Sequence, residues 1–350
     1  MKFPFSSIAE FSHEFNKGLH VLASKQGLGP FILVCANATV HEEMFDEFKP
    51  SLERQYQELY DYYRQAFADG CDVDVVDEDL LVFLKMHAIG FESIRHNEVR
   101  KEDLWKIQFN HIRSFRPRRI TRFIHEGISE PYNEDGFNFN KKFMASECFW
   151  SGELMGRDID LFYNKYPFAD LHGLLVLDKT ACKPQVLRKK DHDYIFKLAL
   201  ELDSGFPGVG FGYNSYGAYA SVNHLHFQMI VDEEGLPVMD NAWKHNGGDK
   251  EYPVDCFAYE SVSASWNMIR TLHHLEQPYN ILYVPGRVYI FPRKAQGMVE
   301  VPGWSSGFTW YELSGGMISF NYNDYTSLTT KAIENHLSML KLDRPVQLIA

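Results

Sequence analysis

The spacing of hydrophobic positions changes about one third of the way along the chain. From about residue 42 to residue 107, apolar residues recur at three- and four-residue steps, as in HEEMFDEFKPSLERQYQELYDYYRQAFADG and EDLLVFLKMHAIGFESI. This spacing places them on one face of a helix and predicts helices. From about residue 137 onward, short strand-like segments alternate with two segments of helical period. The pattern therefore predicts an α+β fold with a helical N-terminal region.

The predicted elements of the second part suggest two copies of one α+β unit. The strand candidates are FNFNKKFMA (137–145), DLFYNKYPF (160–168), HGLLVLDK (172–179), HLHFQMIV (224–231), YNILYVPG (279–286), RVYIFPRK (287–294) and FTWYELSGGMISF (308–320). The helix candidates are KKDHDYIFKLALELD (189–203) and SVSASWNMIRTLHHLE (261–276), and residues 232–252 predict a surface loop. We therefore expect a helical region of unknown role over residues 1–112. A mostly antiparallel sheet with flanking helices would follow over 113–350, in halves of about 113–255 and 256–350.

Composition and charge narrow the classes of function. The 350 residues are 45% hydrophobic, which is enough for a well-buried core. The net charge of -12 disfavours nucleic-acid and anionic-membrane binding, so a substrate phosphate needs a local binding site. The densest positive run is either a salt-bridged surface segment or a site for phosphate or a partner; it comprises Arg113, Arg116, Arg118, Arg119 and Arg122.

Compartment and metal content are predicted from what the sequence lacks. No apolar run approaches the length of a membrane span and the N-terminus has no signal-like apolar core, so we expect a cytoplasmic protein. The five cysteines form no CxxC pair, which predicts reduced thiols and no zinc site.

The chemistry concentrates in the strand candidate HLHFQMIV. Strand alternation projects His224, His226 and Gln228 from one face, while Phe227 and Met229 face a core. A turn of small residues, including Gly217 and Ser221, precedes the strand and lets main-chain N–H groups approach an anion. A neutral imidazole held at one nitrogen can attack phosphorus with the other, so this group predicts covalent phosphate chemistry.

The histidine pair has two other interpretations. Histidines on a strand are often ordinary packing residues, but packing does not account for Gln228 on the same face or for the small-residue turn. Two histidines at i and i+2 also suit zinc or iron. Ile230 and Val231 occupy the places where dioxygenases carry a carboxylate, and we assign no metal.

The string YNSYGAYASVNHLHFQ resembles the signature of the GDP-hexose phosphorylases, in the galactose-1-phosphate uridylyltransferase branch of the histidine-triad superfamily. FNFNKKF, LFYNKYPFADLHGLLVLDK, PYNILYVPGRVYIFPRK and FTWYELSGGM extend the resemblance over about residues 115–328. It implies two histidine-triad-like halves. Hydrolytic members carry a third histidine at the position of Gln228, whereas transferases and phosphorylases carry glutamine. This residue therefore favours transfer over hydrolysis.

The resemblance also implies roles for individual residues. His226 would become nucleotidylated, His224 would orient it, and Gln228 would bind the α-phosphate. Residues implied or predicted at the substrate are Ser221, Asn214 and Gly217 at the phosphates, Asn164 near the ribose, His172 at the turn after it, and Lys165 as a neutralising cation.

The implied reaction is ping-pong and requires no cofactor. The enzyme would release hexose 1-phosphate from a sugar nucleotide, preferably a GDP-hexose, and pass the nucleotidyl group to inorganic phosphate or a sugar phosphate. A homodimer is compatible with this family, since related folds often dimerise. The alternatives are a nucleotide-binding regulatory protein without turnover, a histidine-triad hydrolase and a dinucleoside polyphosphate phosphorylase.

Overall fold

A computed structural model describes residues 6–116 and 127–348, which combine helices with antiparallel strands. The helices are α1 (Ile8–Ala23), α2 (Leu28–Ala38), α3 (Glu42–Ala68), α4 (Asp77–Ile89), α5 (His111–Phe115), α6 (Lys189–Leu202), α7 (Val262–His274), α8 (Trp310–Leu313), α9 (Tyr322–Ser327) and α10 (Thr330–Met339). The strands are β1 (Glu98–Glu102), β2 (Trp105–Phe109), β3 (Cys148–Leu154), β4 (Arg157–Tyr163), β5 (Asp170–Leu177), β6 (Val209–Asn214), β7 (His226–Val231), β8 (Phe257–Tyr259), β9 (Tyr279–Val284), β10 (Arg287–Pro292) and β11 (Gly316–Ser319).

Within these residues the main sheet has eight strands in the order β3-β4-β5-β7-β6-β9-β10-β8. Its recorded pairings are all antiparallel, and the two halves meet where β6 pairs with β9. The unit α6-β6-β7 in the first half has the same order as α7-β9-β10 in the second. This arrangement confirms the predicted α+β class.

The two faces of the sheet differ in what covers them. Phe227 and Met229 of β7 belong to a large core with side chains of α1, α6 and α7. On the opposite face, Ile230 joins a second core that includes Trp310, while His226 pairs with Val176 of β5. The alternation in HLHFQMIV therefore places His226 and Gln228 away from the helices, as the spacing predicts.

The N-terminal region is helical only as far as residue 93. Helix α4 ends at Ile89, and the next residue, Gly90, has a φ of 83° that residues with a side chain rarely adopt. The helical prediction for residues 98–107 is wrong, because β1 and β2 form a hairpin there through a turn at Asp103. Strand β2 then pairs in parallel with β11, which ties this hairpin to the C-terminal part of the chain.

Two strand predictions are also corrected by local side-chain hydrogen bonds. Residues 137–145 contain a 3-10 turn over Lys142–Ser146, preceded by a turn in which Asn138 Oδ1 accepts the N–H of Asn140. The predicted strand 308–320 begins with the short helix α8, because Thr309 and Glu312 form a capping box around its first turn. The predicted surface loop 232–252 carries the buried Trp243, whose indole N–H donates to Pro237.

Helix α8 lies against β6 because Gly212 has no side chain. A Cβ on Gly212 would lie 2.0 Å from Cε2 of Trp310, whereas a Cβ on Gly210 would meet Leu282 at an ordinary 3.4 Å. The absence of a side chain at Gly212 therefore allows the indole to lie across the sheet next to Gln228, the strand partner of Gly212.

We expect Gly212→Ala to lower the free energy of unfolding by about 1–3 kcal/mol, because the added methyl must displace a buried indole. The matched control Gly210→Ala lies two residues away on the same strand and should be neutral or slightly stabilising. Denaturant unfolding of both variants measures the difference. Equal effects at the two glycines would contradict the packing described here.

Candidate functional site

His226 opens strand β7 and is held in one tautomer. Its Nδ1–H donates to the carbonyl of His224 at 2.7 Å, so Nε2 carries the lone pair. Nε2 has no hydrogen-bond partner within the described residues. The residue is 6% exposed, and burial lowers its pKa to about 4. At neutral pH the ring is therefore an uncharged imidazole with a free nucleophilic nitrogen.

The imidazole of His224 is fully engaged by the protein. Its Nε2–H donates to the Lys179 carbonyl at 3.0 Å, and its Nδ1 accepts the N–H of Phe139 at 3.3 Å. Burial, together with the charge of a protonated His226, lowers its pKa to about 4. The ring thus fastens two loops to the strand, and its main-chain carbonyl is the group that contacts His226.

Gln228 presents an amide N–H₂ whose direction is fixed by two donors. Its Oε1 accepts from Nε1 of Trp310 at 3.0 Å and lies 3.2 Å from Nε2 of His172. An indole N–H can only donate, so the oxygen of the carboxamide must face Trp310. The amide nitrogen points elsewhere and has no partner within the described residues.

Asn214, at the end of neighbouring strand β6, is arranged in the same way. Its Oδ1 accepts from Nδ2 of Asn280 at 2.6 Å and from the main-chain N–H of Trp310 at 2.9 Å. Its own Nδ2 has no partner in the described part of the chain. Trp310 therefore orients two carboxamides at once, and both keep an N–H₂ group for a ligand.

His172 supports Gln228 from strand β5. Its Nδ1 accepts the N–H of Phe168 at 3.3 Å, which leaves Nε2–H to donate to Gln228. Nδ2 of Asn164 lies 3.0 Å from the same Nε2. Burial, and then the charge of Arg113, lowers the pKa of His172 to about 3, so the ring stays neutral.

Sequence reasoning missed Gln185, which holds the start of strand β7. Its Oε1 accepts the N–H of His226 at 2.9 Å, and its Nε2 donates to the carbonyls of His226 and Asn214 at 3.2 and 3.1 Å. The β6–β7 pairing ends at Gly212 and Gln228, so this side chain replaces the missing ladder bonds beyond that point. Gln185 lies in a loop outside any motif, and no sequence signal marked it.

The structure places the other predicted substrate residues in different surroundings. Ser221 is exposed, and the main-chain N–H groups of residues 220–224 have no partners within the described residues. Gly217 has a φ of 77° and its carbonyl accepts the N–H of Gln296, so the turn before the strand requires glycine. Lys165 is ion-paired with Asp79 of α4 at 2.5 Å and does not contact the histidines.

Only two members of the arginine run lie within the described residues. Arg113 donates to the Tyr166 carbonyl at 2.7 Å and lies over the ring of Phe168, and Arg116 pairs with Glu78. The remaining members lie outside the described residues; they are Arg118, Arg119 and Arg122.

The described residues contain neither a metal-binding cluster nor a membrane-spanning helix. Across residues 6–116 and 127–348, no group of three or more His, Cys, Asp or Glu side chains is placed to hold a metal ion. In the same residues, none of the helices combines the length and apolar character that crossing a bilayer requires.

The fold is similar to that of a solved phosphorylase structure. The crystal structure of yeast Ap4A phosphorylase Apa2 in complex with Ap4A superposes with a TM-score of 0.50, at 16% identity, over 76% of this chain and 98% of that one. Identity at this level shows the fold alone.

Sequence comparisons confirm the resemblance to the GDP-hexose phosphorylases. Residues 104–230 match the family model described as GDPGP1-like, N-terminal domain. GDP-L-galactose phosphorylase 2 of Arabidopsis thaliana is 32% identical over 252 residues, which is 59% of this chain and 58% of that protein. GDP-D-glucose phosphorylase 1 of Danio rerio is 34% identical over 101 residues, or 28% of each chain. The matched part of the chain thus spans less than two thirds of the length of these relatives.

We expect Trp310→Phe to lower kcat/KM by roughly ten- to a hundredfold, because Gln228 loses the donor that fixes its carboxamide. The free energy of unfolding should fall by only about 1 kcal/mol. Trp304→Phe is the matched control, since Trp304 is also buried and its Nε1 has no partner within the described residues. Similar kinetics for the two variants would show that the indole N–H does not orient Gln228.

Stability should fall as the pH drops from 6.5 to about 4. Burial lowers the pKa of His226 from its ordinary 6.5 to about 4, so in this window the unfolded chain binds a proton that the folded chain does not. His226→Gln should therefore flatten the pH dependence of the unfolding free energy, by up to roughly 3 kcal/mol across the window. Urea unfolding at several pH values measures the slope, with the exposed His13→Gln as control. An unchanged slope in His226→Gln would contradict the neutral buried imidazole.

Proposed function

We propose that this protein is a phosphorylase of nucleoside-diphosphate hexoses, with GDP-hexoses as the favoured substrates. It acts through a covalent nucleotidyl group on His226. One observation carries the proposal: Nδ1–H of a buried, neutral His226 donates to the His224 carbonyl, and its Nε2 has no partner within residues 6–116 and 127–348.

In the first half-reaction the Nε2 lone pair attacks the α-phosphorus of the sugar nucleotide. The bond from that phosphorus to the bridging oxygen breaks, and hexose 1-phosphate leaves with the bonding electrons. The imidazole gains positive charge as the P–N bond forms, and the hydrogen bond from Nδ1–H to the His224 carbonyl stabilises that charge. No proton has to move, because a phosphate leaving group departs as an anion.

In the second half-reaction an oxygen of inorganic phosphate attacks the same phosphorus. The P–N bond breaks, its electrons return to Nε2, and a nucleoside diphosphate is released. Phosphate is already an anionic nucleophile and needs no general base. Gln228 is neither an acid nor a base, so it can bind an α-phosphate oxygen but cannot activate water. This property favours phosphorolysis over hydrolysis.

The phosphates would be held by neutral donors. The amide groups of Gln228 and Asn214 are both oriented by Trp310 and are free to donate. The N–H groups of residues 220–224, which have no partners in the described part of the chain, lie just before β7 and can bind further phosphate oxygens. Together these groups support a site for a diphosphate that requires no metal or organic cofactor.

The nucleobase and sugar rest on the relatives. The family model matches residues 104–230, which carry the histidines, and the relatives are named GDP-L-galactose phosphorylase and GDP-D-glucose phosphorylase. These matches support guanine and a hexose. A regulatory protein without turnover would not require a locked tautomer at His226. A cytoplasmic location and a homodimer remain predictions from the sequence.

Intact-mass measurement tests the covalent step. We expect a nucleoside-monophosphate adduct after the protein is mixed with GDP-glucose or GDP-L-galactose, and its removal by inorganic phosphate with release of GDP. His226→Ala should abolish the adduct and lower turnover by at least about a thousandfold. The control His13→Ala replaces an exposed histidine and should form the adduct normally.

The donor panel should include UDP-glucose and Ap4A. Adduct formation only with Ap4A would replace the sugar-nucleotide assignment with a dinucleoside polyphosphate. Turnover that persists in His226→Ala would refute the nucleophile, and GMP release without phosphate would indicate hydrolysis.

A further inference from the structure

The connection between strands β4 and β5 is tethered to residues that precede it in sequence. From residue 163 to residue 167, each residue forms a hydrogen bond or ion pair with a different residue between Phe15 and Arg113. The five pairs are Tyr163 OH to Phe15 O (2.6 Å), Asn37 Nδ2 to Asn164 O (2.9 Å), Lys165 Nζ to Asp79 Oδ1 (2.5 Å), Arg113 Nη1 to Tyr166 O (2.7 Å), and Asn110 Nδ2 to Pro167 O (2.9 Å).

These tethers are buried and directional. Asn37 is 2% exposed and Asn110 is 3% exposed, so the carbonyls that they bind have little access to water. The side chain of Asp79 is 7% exposed and faces Lys165. Apolar contacts such as Phe15 with Phe149 of β3 already attach the helices to the sheet. The polar tethers also fix the position of the main chain over residues 163–167.

The 163–167 segment contacts the residues that orient Gln228. Nδ2 of Asn164 lies 3.0 Å from Nε2 of His172, and Oδ1 of Asn164 accepts the N–H of Tyr166. The N–H of Phe168, which follows the segment, donates to Nδ1 of His172. A shift of the segment would therefore move both nitrogens of the ring that donates to Gln228.

We propose that the N-terminal helices are part of the nucleotide site, with Asn37 and Asp79 as positioning residues. They hold the 163–167 segment in the conformation that binds the nucleoside part of a nucleoside diphosphate and that keeps Gln228 directed at its phosphates. The region over residues 1–112 is then a support for substrate binding and not an independent module. This inference rests on the proposed function for the identity of the ligand.

The test compares Asn37→Ala and Asp79→Asn with a control from the same region. Asp61→Asn on α3 affects only exposed contacts, with Arg64 and Gln57, and lies away from the segment. We expect about a tenfold increase in the Kd for GDP, measured by calorimetry, and in KM for the GDP-hexose in both test variants, with a smaller change in kcat. The control should match the wild type. Asp79→Glu, which keeps the charge, should restore most of the affinity.

Hydrogen exchange measured by mass spectrometry supplies a readout that does not depend on activity. The amides of residues 163–166 and of Phe168 should exchange faster in both test variants, while those of β7 remain protected. Wild-type affinity for GDP in variants whose segment exchanges faster would overturn the proposal. So would a tenfold loss of affinity in Asp61→Asn.

The outcomes separate this inference from the proposed function. If the wild-type protein binds GDP but turns over no sugar nucleotide, the phosphorylase assignment fails while the effect of Asn37 on Kd still decides the role of the helices. If Asn37→Ala fails to fold, Asp79→Asn gives the same comparison with a side chain of nearly equal size. A double variant with Asn164→Ala should show that the cost of Asn37→Ala falls once the Asn164 side chain is gone.

Discussion

The hydrogen bond from Nδ1 of His226 to the His224 carbonyl is the constraint on which the site depends. It requires an extended strand start, because only there does a residue's ring reach the carbonyl two positions earlier. Burial keeps the imidazole neutral, which leaves the lone pair on Nε2. Gln185 fixes the peptide of His226 on both sides. A strand of ordinary sequence thereby holds one nitrogen lone pair in a defined direction.

The proposed ligand is an anion, whereas the chain carries a net charge of -12. The nearby cations Lys165 and Arg113 are used to hold the 163–167 segment, through Asp79 and the Tyr166 carbonyl. Oriented carboxamides and main-chain N–H groups supply the donors instead. Such groups can bind phosphate oxygens without neutralising them completely, which suits the proposed exchange of one phosphate for another.

The sequence predicted what depends on local periodicity and missed what depends on distant contacts. Alternation in β7 indicated the faces of His226 and Phe227, and the helical period located α6 and α7 within a few residues. The roles of Gln185 and Trp310 could not be predicted from local spacing, because their partners lie 41 and 82 residues away. The sequence predicts helix in place of the β1–β2 hairpin because β11, the parallel partner of β2, lies near the other end of the chain.

Three parts of the chain contribute to the site around His226 and Gln228. The first half supplies the histidines, the second half supplies Trp310 and Asn280, and the N-terminal helices fasten the segment behind His172. The family match at residues 104–230 includes His226 and Gln228 but neither Trp310 nor Asn37. The residues that orient Gln228 therefore lie partly outside the segment that carries the histidine pair. Because a hydrogen-bonded carboxamide acts only in the direction in which it is held, those supporting residues determine where the N–H₂ group of Gln228 points.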